Sequence, residues 1–151
     1  MSKDNLKKKP INSLVGGLAK DARGQIRYVN EFDMSLVKRF YILKNADLSI
    51  IRGWRGHKKQ QRWFYTLSGS FNIYLVEVDN WITSSRDLSV LKVVSNASDM
   101  SLLNVPAGYA TAFQALEPDS EILVFADSTI EVGENDDYTW PLNYFNNHKY
   151  F

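Results

Sequence analysis

No stretch of this chain sustains a 3.6-residue apolar period or a heptad, and no segment of 20 to 50 residues repeats. What recurs is a set of short alternating runs joined by turns rich in Gly, Pro and Asp. Such a chain buries its apolar side chains as strands. About nine or ten short strands at close spacing predict an all-β sandwich or small barrel of the jelly-roll kind. The abundance of Tyr, Phe and Trp points the same way, because aromatic side chains suit a pleated, half-buried surface.

The first strand follows a basic tail, residues 1–10, that is expected to be solvated. Lys3, Lys7, Lys8 and Lys9 precede an apolar run broken by Asn12, Ser13, Gly16 and Gly17, which is too interrupted for a targeting segment. Asp21-Ala-Arg-Gly24 reads as the turn of a hairpin whose second strand is 25–29. Residues 35–44 read as a third strand buried for much of its length. Arg62 to Leu67 and Ser70 to Asp79 read as a hairpin turning at Gly69. Further strands are expected at 88–94, 102–105, 109–116 and 121–126, and the acidic then aromatic stretch from Glu131 onward is helical in part or packs as a flap. One domain spans 11–145, with a tail at 146–151 that carries a solvent-exposed His148.

The 151 residues suffice for a core without disulfides. Cysteine is absent, which excludes a disulfide framework and thiolate metal sites and fits a cytoplasmic protein. A net charge of +1 with mixed signs gives no reason to expect nucleic acid as a partner. No apolar run reaches the ~18 residues of a membrane span.

The densest chemistry lies between Arg52 and Phe71, where His57 sits among Arg52, Arg55, Lys58, Lys59 and Arg62. In a strand through Arg52–His57, alternation puts Arg55 and His57 on one face, roughly 6 to 7 Å apart, with Trp54 and Gly56 on the other. A cation beside a half-buried histidine disfavours protonation, leaving a neutral imidazole able to act as a base.

Three motifs resemble one family, the cupin-fold enzymes acting on nucleotide-linked 4-keto-6-deoxy sugars. Asp21-x-Arg-Gly24, Tyr28-Val-Asn-Glu-Phe-Asp33 and Lys38-Arg-Phe-Tyr41 are similar to the opening strands of dTDP-4-keto-6-deoxyglucose 3,4-ketoisomerases. Arg52-Gly-x-Arg-Gly-His-Lys58 resembles their Arg-Gly-x-His-Ala-His-Lys segment, with Gly69 at the matching spacing. Val105-Pro-Ala-Gly-Tyr-Ala-Thr-Ala-Phe113 is similar to the Ile-Pro-x-Gly-Phe-Ala-His-Gly-Phe run of dTDP-4-dehydrorhamnose 3,5-epimerases. The chain departs from the pattern at Arg55, where the ketoisomerases have their first histidine and the epimerases their catalytic one. It departs again near Ser128 to Ile130, where the epimerase tyrosine is missing.

The resemblance implies a cupin jelly roll (a double-stranded β-helix) and a cofactor-independent 3,4-ketoisomerase for deoxysugar and surface-polysaccharide synthesis. It makes His57 the base, with Arg52 and Arg55 facing the developing enolate, and lets Tyr41 relay a proton or merely anchor the sheet. For the nucleotide diphosphate it offers Arg52, Lys58 and Arg62, since planar guanidinium groups suit phosphate oxygens. Trp63, Tyr65, Tyr109 and Phe113 line a sugar or base pocket, or fill the core. Metal-using members place four ligands where this chain has Arg55, His57, Gln61 or Arg62, and Thr111. A single histidine there implies no metal. Alternatives are an epimerase, a cupin that binds sugar nucleotides without catalysis, or an oligomerisation module. Family members and the open strand edges of a sandwich both imply a homodimer.

Overall fold

The computed structural model describes residues 10–145, so the expectations for residues 1–9 and 146–151, His148 included, lie outside it. Twelve strands occur among the described residues, somewhat more than the sequence pattern implied. They are β1 (Asn12–Val15), β2 (Gly17–Asp21), β3 (Gly24–Tyr28), β4 (Arg39–Leu43), β5 (Ile51–His57), β6 (Arg62–Ser68), β7 (Ser70–Glu77), β8 (Val90–Asn96), β9 (Ser101–Val105), β10 (Tyr109–Ala115), β11 (Glu121–Ala126) and β12 (Tyr138–Thr139), with one short helix α1 (Ile130–Glu134).

Two antiparallel five-stranded sheets, β1-β9-β6-β11-β4 and β12-β5-β10-β7-β8, form a jelly roll, and β2 and β3 make a separate hairpin. Alternation decides what lies between the sheets. Phe64 of β6 and Val124 of β11 meet Ile73 and Leu75 of β7 and Phe113 of β10 in the main core. The even-numbered residues of β7, Tyr74 and Val76, face the other way and pack with Trp54 and Phe145. The main core adjoins the cavity described below, since Tyr41, Leu43 and Phe113 border both.

Two sequence readings are corrected by this topology. β6 and β7 do not form a hairpin. β6 pairs with β9 and β11, whereas β7 pairs with β8 and β10 in the opposite sheet. Gly69, with φ of +65°, is a corner between sheets, and a methyl group there would collide with the Ser120 hydroxyl. Residues 35–44 are not buried for much of their length. A single 3-10 turn precedes β4, which is an edge strand with Phe40 and Ile42 exposed at 66% and 54%. Its alternate residues Arg39, Tyr41 and Leu43 face the cavity. The segment after Ala126 is both helix and flap: α1 is followed by β12, which pairs with the edge of β5.

Candidate active site

The cavity, about 680 Å³, opens between the sheets and is walled by β4, β5, β6, β10 and the strap of residues 130–140. Its floor is built from neighbouring strands. β5 is registered on β10 so that His57 lies opposite Tyr109 and Arg55 opposite Thr111, which puts Arg55 and His57 on one face of the sheet. β5 ends at His57, whose carbonyl accepts the Gly108 amide at 2.8 Å. The left-handed Gly108 (φ +99°) lets the Pro106-Ala-Gly turn approach this closely.

His57 is buried, and its Nδ1 lies 2.7 Å from the backbone carbonyl of Asp136. A carbonyl only accepts, so Nδ1 carries the proton and Nε2 keeps the lone pair of a neutral ring. Burial, and next the charge of Arg62, lower the His57 pKa from 6.5 to about 4. The ring is therefore a neutral base near pH 7. The depressing cation is Arg62, whereas the sequence reading had assigned that effect to Arg55. Arg55 points to the mouth, half-exposed, with its Nε 3.2 Å from an Asp137 carboxylate oxygen.

Arg62 is 3% exposed, and among the described residues no carboxylate forms an ion pair with it. It is held by Thr111, whose Oγ1 accepts from Nη2 at 3.1 Å, by the Tyr41 phenol facing it, and by the Phe64 ring 5.2 Å away. Burial pushes its pKa below the ordinary arginine value, with the Tyr41 oxygen and, to a smaller extent, the Asp137 charge opposing. A guanidinium deprived of water, with the Asp137 charge acting on it but no carboxylate in direct contact among the described residues, attracts negative charge developing on a bound molecule.

The strap closes the remaining side. Asp136 accepts the backbone N–H groups of Lys58, Lys59 and Gln60 at 2.9, 2.9 and 2.8 Å. Trp54 and Trp140 exchange backbone hydrogen bonds at 3.2 Å, and Trp54 Nε1 donates to the Leu142 carbonyl. Ile130, Glu134, Asp137 and Trp140 thus join the cavity wall.

Of the residues singled out in the sequence, His57, Arg55, Tyr41, Arg52, Arg62 and Phe113 line this cavity. Lys58, Trp63, Tyr65 and Tyr109 are not among its lining residues. Trp63 and Tyr65 alternate with Arg62 and Phe64 and so emerge on the outer face of their sheet, where Trp63 packs on Phe32. Tyr109 packs at the edge of the main core, and Lys58 lies exposed on the turn that Asp136 gathers. Phe113 divides its ring between the cavity and Phe64, 5.1 Å away. Of the two remaining arginines, Arg62 is buried, whereas Arg52 is exposed. Thr111, Asp136, Asp137 and Trp140 were missed as site residues. Only the Asp-Asp pair ahead of Tyr138 and Trp140 hinted at the last three.

The sequence matches the family model described as FdtA: WxcM-like, C-terminal, over residues 11–149. The chain belongs to that family. No curated protein matches it. Among solved structures, a 3,4-ketoisomerase QdtA from Thermoanaerobacterium thermosaccharolyticum, in complex with TDP-4-keto-6-deoxyglucose, is similar at 20% identity and a TM-score of 0.66 over 85% of this chain and 86% of the other. A 3,4-ketoisomerase from Helicobacter canadensis is similar at 17% identity and 0.67, over 85% and 89%. A dTDP-4-dehydrorhamnose 3,5-epimerase from Bacillus anthracis, with TDP and PPi bound, is similar at 18% identity and 0.70, over 88% and 79%. The cupin jelly roll implied by the three sequence motifs is the fold of this chain. No helix among the described residues is long and apolar enough to cross a membrane.

Proposed function

We propose that the protein isomerises a nucleotide-linked 4-keto-6-deoxyhexose, moving the carbonyl from C4 to C3 without a cofactor. The observation that carries this reading is the pairing of a buried, neutral His57 with a buried Arg62 that forms no direct ion pair among the described residues, at the floor of one cavity. A proton next to a ketone is acidic enough for an imidazole when the enolate oxygen meets positive charge. Nε2 of His57 takes the C3 proton, and the negative charge that grows on the C4 oxygen falls to Arg62. Tyr41 passes a proton from the C3 hydroxyl to the C4 oxygen. The imidazolium then returns its proton to C4, so the base is regenerated and the new carbonyl stands at C3.

Arg52, exposed at the mouth, suits the diphosphate, and Arg55 beside Asp137 is placed to hold the same group. The relatives support the substrate class: their solved structures hold TDP or a TDP-linked keto sugar. A homodimer suits this reading too, because β4 leaves an open strand edge with Phe40 and Ile42 bare beside the cavity. Analytical ultracentrifugation returning a monomer mass at micromolar concentration would remove that assignment.

The test of the chemistry is incubation with dTDP-4-keto-6-deoxyglucose in D2O, followed by NMR of C3, C4 and C5, with His57→Ala in parallel. A 3-keto product labelled at C4, lost by about 10³-fold in the variant, is expected. Exchange at C3 or C5 with no carbonyl migration would make the enzyme an epimerase. Saturable binding with no exchange would leave a non-catalytic sugar-nucleotide site.

A further inference from the structure

Asp136 bears on His57 by two routes, a direct one through its backbone carbonyl and an indirect one through its carboxylate. Its carboxylate gathers three consecutive backbone N–H groups, those of Lys58, Lys59 and Gln60, on the turn that directly follows His57. Its own backbone carbonyl accepts from Nδ1 of His57 at 2.7 Å. Both residues are buried, at 6% and 5% exposure, which shields the His57–Asp136 bond from water. Resting on the reading of His57 as the base, we infer that Asp136 is the positioning residue of the site. Its carboxylate locks the strap to the 58–60 turn, and that lock holds its carbonyl where it keeps the imidazole proton on Nδ1.

The physical reason is that a neutral imidazole can carry its proton on either nitrogen, and the hydrogen bond made by one nitrogen decides the matter. With the proton on Nε2 the ring could not abstract anything through that atom. The carbonyl of a strap residue is a poor fixture by itself, because the strap is joined to the β5 edge by a strand of only two residues, Tyr138 and Thr139. Three charge-assisted bonds from one carboxylate make it rigid at the one place where position matters. Asparagine cannot substitute: its amide nitrogen would face backbone donors. The rest of the strap keeps separate anchors, the Arg55–Asp137 pair and the Trp54–Trp140 bonds, so loss of the carboxylate frees the carbonyl without detaching the segment.

The experiment is ¹⁵N NMR of the imidazole in the full chain at neutral pH, in a His148→Gln background so that His57 supplies the only ring signals. Protonated and lone-pair ring nitrogens differ widely in shift, and the measurement needs no substrate. Nδ1–H is expected in the parent, with scalar coupling across the bond to the Asp136 carbonyl carbon. In Asp136→Asn and Asp136→Ala, checked for folding by circular dichroism, the expected signal is Nε2–H or an exchanging mixture, with kcat reduced at least 10-fold and KM little changed.

A parent ring protonated on Nε2 overturns the proposal, as does a parent-like Nδ1–H tautomer retained in both folded variants. Should neither variant fold, the parent spectrum and its coupling still decide. If instead the tautomer behaves as expected and the parent shows no turnover or exchange on the keto sugar, the assigned reaction fails and the positioning role stands.

Discussion

The floor and the mouth of the cavity each carry an arginine from the same short stretch of sequence, and burial gives the two opposite meanings. Arg62 at the floor has lost its water and, among the described residues, has no carboxylate in direct contact, so its charge acts on His57 and on whatever binds beside it with little screening. Arg55 at the mouth is half-exposed and already paired with Asp137, so solvent and its partner absorb most of its field. Residue type alone would have ranked them equal. The low-dielectric position, not the guanidinium itself, gives the charge its strength.

Arg62→Gln is the largest blow to that contrast. The expected outcome is a fall in kcat of about 10²-fold or more, typical of removing a preorganised donor from a developing oxyanion. In the same variant the acid limb of the kcat/KM profile should rise from about pH 4 toward the ordinary histidine value, because a charge that depresses His57 is gone. A variant that loses rate with an unmoved limb would separate Arg62 from His57.

The pH dependence of stability probes the floor without any substrate. Above pH 6.5 His57 is neutral in both folded and unfolded chains and contributes no slope. Between 6.5 and about 4 the unfolded chain binds a proton that the native ring refuses, so stability falls as pH falls, and the loss levels off below about pH 4. The total for this one group is about 3 kcal/mol. Urea unfolding across that window should show the slope reduced in His57→Gln relative to the parent. Equal slopes would mean that the ring is not held neutral.

At the mouth, Arg55→Gln should raise KM by no more than about 5-fold, the equivalent of a 1 kcal/mol exposed pair, with kcat nearly unchanged. A loss as large as that of Arg62→Gln would erase the distinction between the two positions. The smallest effect belongs to Tyr65→Phe on the outer face. Its buried hydroxyl lacks a hydrogen-bond partner among the described residues, so the melting midpoint should hold or rise by the equivalent of up to about 1 kcal/mol, with turnover unaffected.

Much of this architecture could be read before the fold was seen, and the reasons are local. Alternation identifies a strand where one face is buried, which is why β11 and the pairing of Arg55 with His57 on one face were legible. By contrast β3, largely exposed on both faces, was marked by its turn, and β7 and β10 by their apolar runs. A turn residue, by contrast, says that the chain bends and not which sheet receives it, so Gly69 read as a hairpin. The edge position of β4 depends on what fails to lie beside it, and no pattern within residues 35–44 encodes that. Arg62 looked like a surface phosphate ligand because its burial is imposed by Thr111 and Tyr41 from other strands. Asp136 was invisible for a further reason. It reaches His57 through a backbone carbonyl, which every residue has, across 79 positions of sequence.

The Gly69 corner also limits how a chain of this kind can change its length. One residue joins β6, which presents Arg62 and Phe64 inward, to β7, which presents Phe71, Ile73 and Leu75 inward. Inserting or deleting a single codon there would put the two strands out of phase, turning either the cavity floor or half the core toward solvent. Related genes should therefore accumulate insertions in the 79–89 loop and hold the spacing from Arg62 to Ile73 constant. The cavity floor and the hydrophobic core are thus inherited as one unbroken reading frame.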